Sequence, residues 1–123
     1  MAYVNGTSNI GMGDWVMSAR TTSGSRNLCL GDRTGYDLGS GSENVFLGSS
    51  AGYDVQNGDY NTCVGVRAGY HLDGDAQSNI MIGRRAGYNV DCNHNVIIGS
   101  KEFASSGETF SDTIIVSAGT TER

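Results

Sequence analysis

Apolar and polar positions alternate in short segments along this chain, and one such segment recurs. The recurring unit is Asn, apolar, any residue, apolar, Gly, as in the NVFLG of residues 44–48. Clear copies begin at Asn27, Asn44, Asn61, Asn79 and Asn95, and degenerate copies begin at Asn9 and Thr113. Successive copies start 16 to 18 residues apart, so that the repeat covers residues 9–117.

A second motif follows four of the five clear copies at a fixed distance, and the copy at Asn95 lacks it. It is a Gly-Tyr pair, then a polar residue, then Leu or Val. The pairs are Gly35-Tyr36, Gly52-Tyr53, Gly69-Tyr70 and Gly87-Tyr88. Each repeat therefore holds two short alternating segments bounded by Gly, Asn, Asp and Ser. This pattern predicts a strand, a turn, a second strand and a second turn.

A unit of this length cannot bury an apolar face alone, but it can do so against identical neighbours. The sequence therefore predicts an all-β fold, a β-solenoid of about seven coils of roughly 17 residues with parallel strands. Gly supplies the left-handed backbone positions of the turns. The recurring Asn predicts a hydrogen-bonded ladder along the rod.

The regularity of the repeat divides the chain into three parts. Residues 27–99 hold the regular repeats. Residues 1–26, with a degenerate first copy and Trp15, are predicted to cap or dock the rod. Residues 100–123 are predicted to form a last coil and the opposite tip.

The middle position of the apolar segment is itself apolar, which predicts a strand buried on both faces. We assign this position to an outward stripe made of Cys29, Phe46, Cys63, Met81, Ile97 and Ile114. The chain has no spare element to cover such a stripe. It therefore predicts self-association, most simply as a parallel homotrimer whose interface these residues form.

Candidate chemistry in the turns is sparse. The three cysteines, Cys29, Cys63 and Cys92, lack disulfide or zinc spacing and are interpreted as small buried hydrophobes. His71 and His94 are interpreted as turn residues. The column Asp37, Asp54, His71, Asn89 has the composition of a structural turn, with a cation or sugar site as the alternative. No catalytic residues, metal site or cofactor are predicted.

The column of tyrosines leaves two interpretations open. Tyr36, Tyr53, Tyr70 and Tyr88 recur with the turn glycines, which favours a packed corner with hydroxyls in solvent. The alternative is a face on which a glycan stacks.

Composition and charge narrow the class of protein. The chain has 123 residues, 19 Gly, no Pro and a net charge of −5. It shows no basic stripe, so a nucleic-acid partner is not expected. No window is apolar and long enough for a membrane span, and the first residues do not resemble a secretory signal peptide.

The anchors NVFLG and NIMIG, each followed by two residues and then Ala-Gly, and the anchor NVIIG resemble the head repeats of trimeric autotransporter adhesins. They resemble still more closely the repeats of phage fibre and virion surface proteins. The resemblance is strong over residues 27–99 and loose over residues 9–117. It implies a parallel trimer of β-solenoids that serves as a rigid stalk or head, without catalytic residues.

From these observations we expect a structural protein of a phage virion: a capsid decoration, knob, spike or fibre protein, assembled in the host cytoplasm. Its expected partners are itself, other virion proteins of the capsid or tail, and a host surface glycan. The alternative is a head fragment of a bacterial trimeric adhesin. An ice-binding solenoid would need columns of Thr, and a hexapeptide acyltransferase would need a shorter period; the sequence has neither.

Overall fold

Short β-strands joined by turns make up the whole of the described chain. The computed structural model describes residues 3–4, 6–19, 21–72, 75–100 and 108–118. Its strands are β1 (Tyr3–Val4), β2 (Ile10–Met12), β3 (Thr21–Thr22), β4 (Leu28–Leu30), β5 (Val45–Leu47), β6 (Thr62–Val64), β7 (His71–Leu72), β8 (Ile80–Ile82), β9 (Asn89–Asn93), β10 (Val96–Gly99), β11 (Glu108–Ser111) and β12 (Ile114–Ser117).

The recurring anchor segments form one parallel sheet. Its strand order is β12-β10-β8-β6-β5-β4-β2, so each anchor pairs with the next anchor along the chain. The register is that of the repeat, because Leu28 pairs with Val45 and Val45 pairs with Thr62. The chain thus winds into an all-β solenoid of about five turns, which confirms the predicted solenoid with parallel strands but not the predicted count of seven coils.

The second segment of the repeat is less regular than predicted. It forms strands only in β7, β9 and β11 within the described residues, and residues 36–38 and 53–55 lie in turns or irregular backbone. Backbone bonds between coils persist there nevertheless. Asp37 donates its N–H to the carbonyl of Tyr53 at 2.9 Å. The preceding Gly35, with φ of 58°, turns the chain too sharply for an extended strand at this corner.

The interior of the solenoid is lined by the middle residue of each anchor. Cys29, Phe46, Cys63, Met81 and Ile97 have no exposed surface in the single chain. They pack with a column of Leu and Val from the second segment and with a column of Ala. These partners are Leu38, Val55, Leu72, Val90, Ala51, Ala68 and Ala86.

The prediction that the middle residues of the anchors point outward is therefore wrong. Side chains alternate along a strand, and the middle residue lies two positions after Asn, so it shares the face of the Asn. Since Asn44 and Asn61 are fully buried, Phe46 and Cys63 point inward with them. Ile114 is misassigned in another way, because it pairs with Val96 and is 76% exposed, whereas Ile115 pairs with Ile97.

A ladder of Asn side chains runs along the interior, as predicted. Asn44 donates from Nδ2 to Asn27 Oδ1 at 3.0 Å and to the carbonyl of Gly58 at 2.8 Å. Its own Oδ1 accepts from the backbone N–H of Asn61 at 2.8 Å. The same pattern continues from Asn9 to Asn95 and ends where Thr113 donates its N–H to Asn95 Oδ1. Each buried amide is thereby satisfied by the coils above and below it.

Glycine is required where neighbouring coils approach most closely. Gly65 has φ of 131°, and an added Cβ would lie 2.6 Å from the carbonyl oxygen of Gly83. Left-handed backbone is not confined to Gly, however. Among the described residues, the residue before each anchor and the residue two positions after its Gly also have φ between 52° and 63°, and none of them is Gly; examples are Tyr60 and Arg67.

The first coil closes its own end of the interior. Gly11 occupies the middle position of its anchor and leaves space below the sheet. Val16 and the buried Met17 fill that space, since a Cβ on Gly11 would lie 2.8 Å from Met17 Cε and 2.9 Å from Val16 Cγ1. Within the predicted C-terminal tip, residues 100–123, residues 101–107 and 119–123 lie outside the described residues.

We expect replacement of one ladder amide to be costly. Asn61→Ala removes the partners of buried groups on Asn44, Ala76 and Asn79, and each orphaned group costs about 1–3 kcal/mol. The free energy of unfolding, measured with urea, should fall by about 3 kcal/mol or more. The matched control is Asn57→Ala on the surface, which should change it by less than about 0.5 kcal/mol. Equal losses in the two variants would contradict a structural role for the ladder.

Candidate functional site

The outer side of the seven-stranded sheet is a continuous apolar surface, which we call the outer face. Each anchor contributes the residues before and after its buried middle position. The outer face consists of Ile10, Met12, Leu28, Leu30, Val45, Leu47, Thr62, Val64, Ile80, Ile82, Val96, Ile98, Ile114 and Val116. Thr62 is the one polar member, so the stripe continues along the whole sheet.

The outer face is open to solvent in the single chain. Ile80, Ile82 and Ile98 in the middle and C-terminal strands remain about 40% exposed. The end strands are more open, since Ile10 and Val116 reach 60% and 73%. Parallel sheets are ordinarily covered on both faces, and exposed apolar patches of this extent mark interaction sites. Cover on both faces of the strands therefore stays a prediction for the outer face, and the residues that lie there differ from those expected.

Two columns border the outer face, which we call the leading border and the trailing border. The leading border holds the residue before each Asn: Ser8, Arg26, Glu43, Tyr60, Ser78, His94 and Asp112. The trailing border holds the residue after each anchor Gly or its equivalent: Asp14, Asp32, Ser49, Val66, Arg84, Ser100 and Ala118. Both borders are polar over most of their length. Within the leading border, Arg26 Nη2 binds Glu43 Oε1 at 2.6 Å.

The tyrosine column forms a stack of parallel rings at one corner of the solenoid. The ring centroids of Tyr36 and Tyr53 are 4.9 Å apart, those of Tyr53 and Tyr70 are 4.6 Å apart, and those of Tyr70 and Tyr88 are 5.1 Å apart. The rings are within 12° of parallel. These separations match the spacing of paired strands, about 4.8 Å, because each tyrosine belongs to a different coil.

The stack limits how a glycan could use these tyrosines. Both faces of Tyr53 and Tyr70 are covered by neighbouring rings, so a sugar ring has no free face to stack on there. The guanidinium groups of Arg67 and Arg85 also lie over rings, 5.9 Å and 5.6 Å from the centroids of Tyr70 and Tyr88. The geometry therefore favours the packed corner over the glycan-stacking alternative.

The histidines and acidic turn residues form only loose pairs. His71 lies in strand β7, with Nδ1 3.4 Å from Asp54 Oδ2. His94 lies before an anchor, with Nδ1 3.9 Å from Asp112 Oδ1. Burial, followed by the charge of Asp54, raises the pKa of Asp37. Among the described residues, no group of three or more His, Cys, Asp or Glu side chains is arranged to hold a metal ion.

The three thiols are buried and free, as interpreted from the sequence. Burial raises the pKa of Cys29 to about 12 and that of Cys92 to about 12. It raises the pKa of Cys63 as well. A thiol that stays protonated is a poor nucleophile and a poor metal ligand. These cysteines therefore act as interior packing residues.

Comparison of the chain with protein-family models, with curated proteins and with solved structures found no match in any of the three. In the described part of the chain, no helix is long and apolar enough to cross a membrane. The candidate site therefore rests on the geometry of this chain alone, and it is the outer face.

Sequence reasoning placed five interior residues on the outside although a signal for their inward facing was present; these are Cys29, Phe46, Cys63, Met81 and Ile97. Of the six residues assigned, only Ile114 lies on the outer face. Asn44 and Phe46 have the same parity along the strand, and so do Asn79 and Met81. An Asn that forms a ladder must be shielded from water, which fixes the middle residue inside and the flanking residues outside. Hydrophobicity alone could not decide, because both faces are apolar.

We expect the rod to lose stability above about pH 9. The unfolded thiols ionise near pH 9.0, whereas Cys29 and Cys92 in the folded chain hold their protons to about pH 12. In this window the unfolded state binds fewer protons, so the free energy of unfolding falls as pH rises, by up to about 1.4 kcal/mol per pH unit per thiol.

Urea midpoints measured between about pH 8.5 and 10.5 test this. The variant Cys63→Ala keeps two of the three thiols, so its stability should fall less steeply with pH than that of the parent chain. An identical slope in the two proteins would contradict the assignment of the effect to buried thiols.

Proposed function

We propose that this chain is a structural protein of a phage virion, which works as a self-associated rod projecting from the particle. The observation that carries the proposal is the outer face, an apolar stripe that runs the length of the sheet and is covered by no element of the described residues. Enzymatic chemistry is not part of the proposal. Among the described residues, His71 and His94 each lie 3.4 Å or more from a single carboxylate.

The cover we propose for the outer face is other copies of the same chain. Seven strands at about 4.8 Å give a stripe about 30 Å long, and three extended residues give it a width of about 10 Å. A straight, repetitive stripe is best matched by a surface with the same 4.8 Å repeat. Three parallel rods of seven coils around a common axis, as the resemblance to fibre proteins implies, would supply such a surface to each chain.

The rest of the molecule suits a rigid projection. Nearly every coil is fixed to its neighbours by backbone bonds, by the Asn ladder and, at one corner, by stacked tyrosines. A rod of this kind has few exposed loops for proteases to cut. Many copies on one particle would turn weak individual contacts into strong attachment. The capsid or the tail is the proposed partner at one end, and a host surface the partner at the other.

We expect a charge in the outer face to separate the chains without unfolding them. Ile82→Asp places a carboxylate in the middle of the stripe, where burial between chains would strip its water at a cost of several kcal/mol. Light scattering should give about three times 12.9 kDa for the parent chain and about 12.9 kDa for the variant.

Two controls frame this experiment. Gln77→Asp, an exposed change in a turn off the sheet, should leave the mass unchanged. Met81→Asp is adjacent to Ile82 but faces the interior, so it should unfold the chain, as read by circular dichroism. A parent chain that is monomeric, or an Ile82→Asp variant that keeps its mass, would contradict association through the outer face.

The location on a virion has its own test. Antibody against the purified chain should label intact particles of the phage that encodes it, and the chain should appear in their protein profile. Its absence from purified particles would contradict the proposal. The resemblance to adhesin heads supports a second candidate, a head segment of a bacterial trimeric adhesin. In that case antibody would label the bacterial surface in the absence of phage.

A further inference from the structure

The two borders of the outer face become apolar at the same level of the rod. Tyr60 is 56% exposed in the leading border, and Val66 is 48% exposed in the trailing border. Both flank strand β6. The other residues of the two borders are Ser, Arg, Glu, His, Asp or Ala. The apolar surface therefore widens at one coil, and it widens on both sides.

The outer face alone is narrow for a stable contact. Its flat area is about 300 Å², from about 30 Å by about 10 Å. Specific interfaces usually bury about 800 Å² of accessible surface on each partner. The borders must therefore contribute if the chains associate, and the place where they can do so without burying charge is the level of Tyr60 and Val66.

Chain direction decides which border meets which. When identical parallel chains surround an axis, the leading border of one chain faces the trailing border of the next. Without a shift along the axis, residues of the same coil meet, so Tyr60 of one chain faces Val66 of its neighbour. When two chains run in opposite directions across a two-fold axis, each border faces itself, and Tyr60 faces Tyr60.

Charge in the borders favours the parallel arrangement without a shift. It places Arg26 opposite Asp32 of the next chain and places no two like charges at one level. A shift by one coil brings Glu43 opposite Asp32 in one direction and Tyr60 opposite Arg84 in the other. The reversed arrangement centred on β6 places His94 opposite Arg26, which gains no acidic partner there. Each exposed pair is worth at most about 1 kcal/mol, so these charges select register more than they strengthen binding.

From this geometry we infer that the chains associate parallel and in register, with Tyr60 of one chain packed on Val66 of the next. The inference rests on the proposed association through the outer face. It adds the register and the two residues that lock it. Because the contact repeats around the axis, every chain supplies one Tyr60 and one Val66.

Disulfide trapping tests the pairing directly. The double variant Tyr60→Cys/Val66→Cys should form a covalent three-chain species under mild oxidation, whereas Tyr60→Cys alone and Val66→Cys alone should remain single chains. The two positions within one chain are about 20 Å apart along extended backbone, too far for a bond between them. The native thiols are buried, so the parent chain serves as the blank.

Register controls complete the design. Glu43→Cys/Val66→Cys and Ser78→Cys/Val66→Cys place one thiol a coil lower or higher, and each should cross-link at least tenfold more slowly. Light scattering before oxidation reports association itself. A monomeric parent chain would overturn the proposed function and this pairing together.

The remaining outcomes overturn the pairing alone. If the parent chain associates, cross-linking of Tyr60→Cys by itself would show reversed chains. Faster linkage in a register control would show a shifted contact. The absence of linkage in all variants would show that the borders do not meet.

Discussion

The structure depends on the requirement that every coil follow the same path as the coil beneath it. Most of the hydrogen bonds that hold the fold run along the rod: the sheet ladder, many of the turn bonds and the Asn side chains join one coil to the next. The residue type that fits at a position therefore depends on the residues at the same position of the neighbouring coils. Asn61 can bond to Asn44 and Asn79 only because all three stand at the same place on successive coils.

This requirement also explains how the rod tolerates strained backbone. Tyr60 and Arg67 sit in left-handed conformations that cost side-chain-bearing residues roughly 1–3 kcal/mol. Each donates its N–H to a carbonyl of the preceding coil, on Ser42 and Ser49 respectively. The hydrogen bonds between coils thus hold these residues in the strained conformation. Because equivalent residues of neighbouring coils have the same conformation, one coil cannot relax without losing its bonds to the next. Stability is cooperative along the rod.

The sequence predicts those parts of the fold that depend on spacing. The recurrence of Asn and Gly indicates parallel strands, their register and the amide ladder. Hydrophobicity does not predict which side chains of an anchor face the interior. Leu28 and Cys29 are both apolar, but only Cys29 lies inside. The irregular corner at Tyr36 and Tyr53 also departs from the predicted strand, because the alternating pattern does not show that the Gly before each Tyr adopts a left-handed turn.

The two apolar sides of the anchor differ in a way that bears on function. Inside, side-chain size varies from Cys63 to Phe46, and the coil accommodates this because Gly52 leaves room: a Cβ there would lie 2.6 Å from the Phe46 ring. Outside, the side chains are mostly Ile, Val and Leu, which form an even surface. The interior already has a buried core and a satisfied amide ladder, so the solenoid does not need an apolar exterior to hold together. An exposed stripe of this length carries a standing risk of aggregation. We propose that a partner covers it from β2 to β12, and a second rod with the same repeat would fit it at every coil.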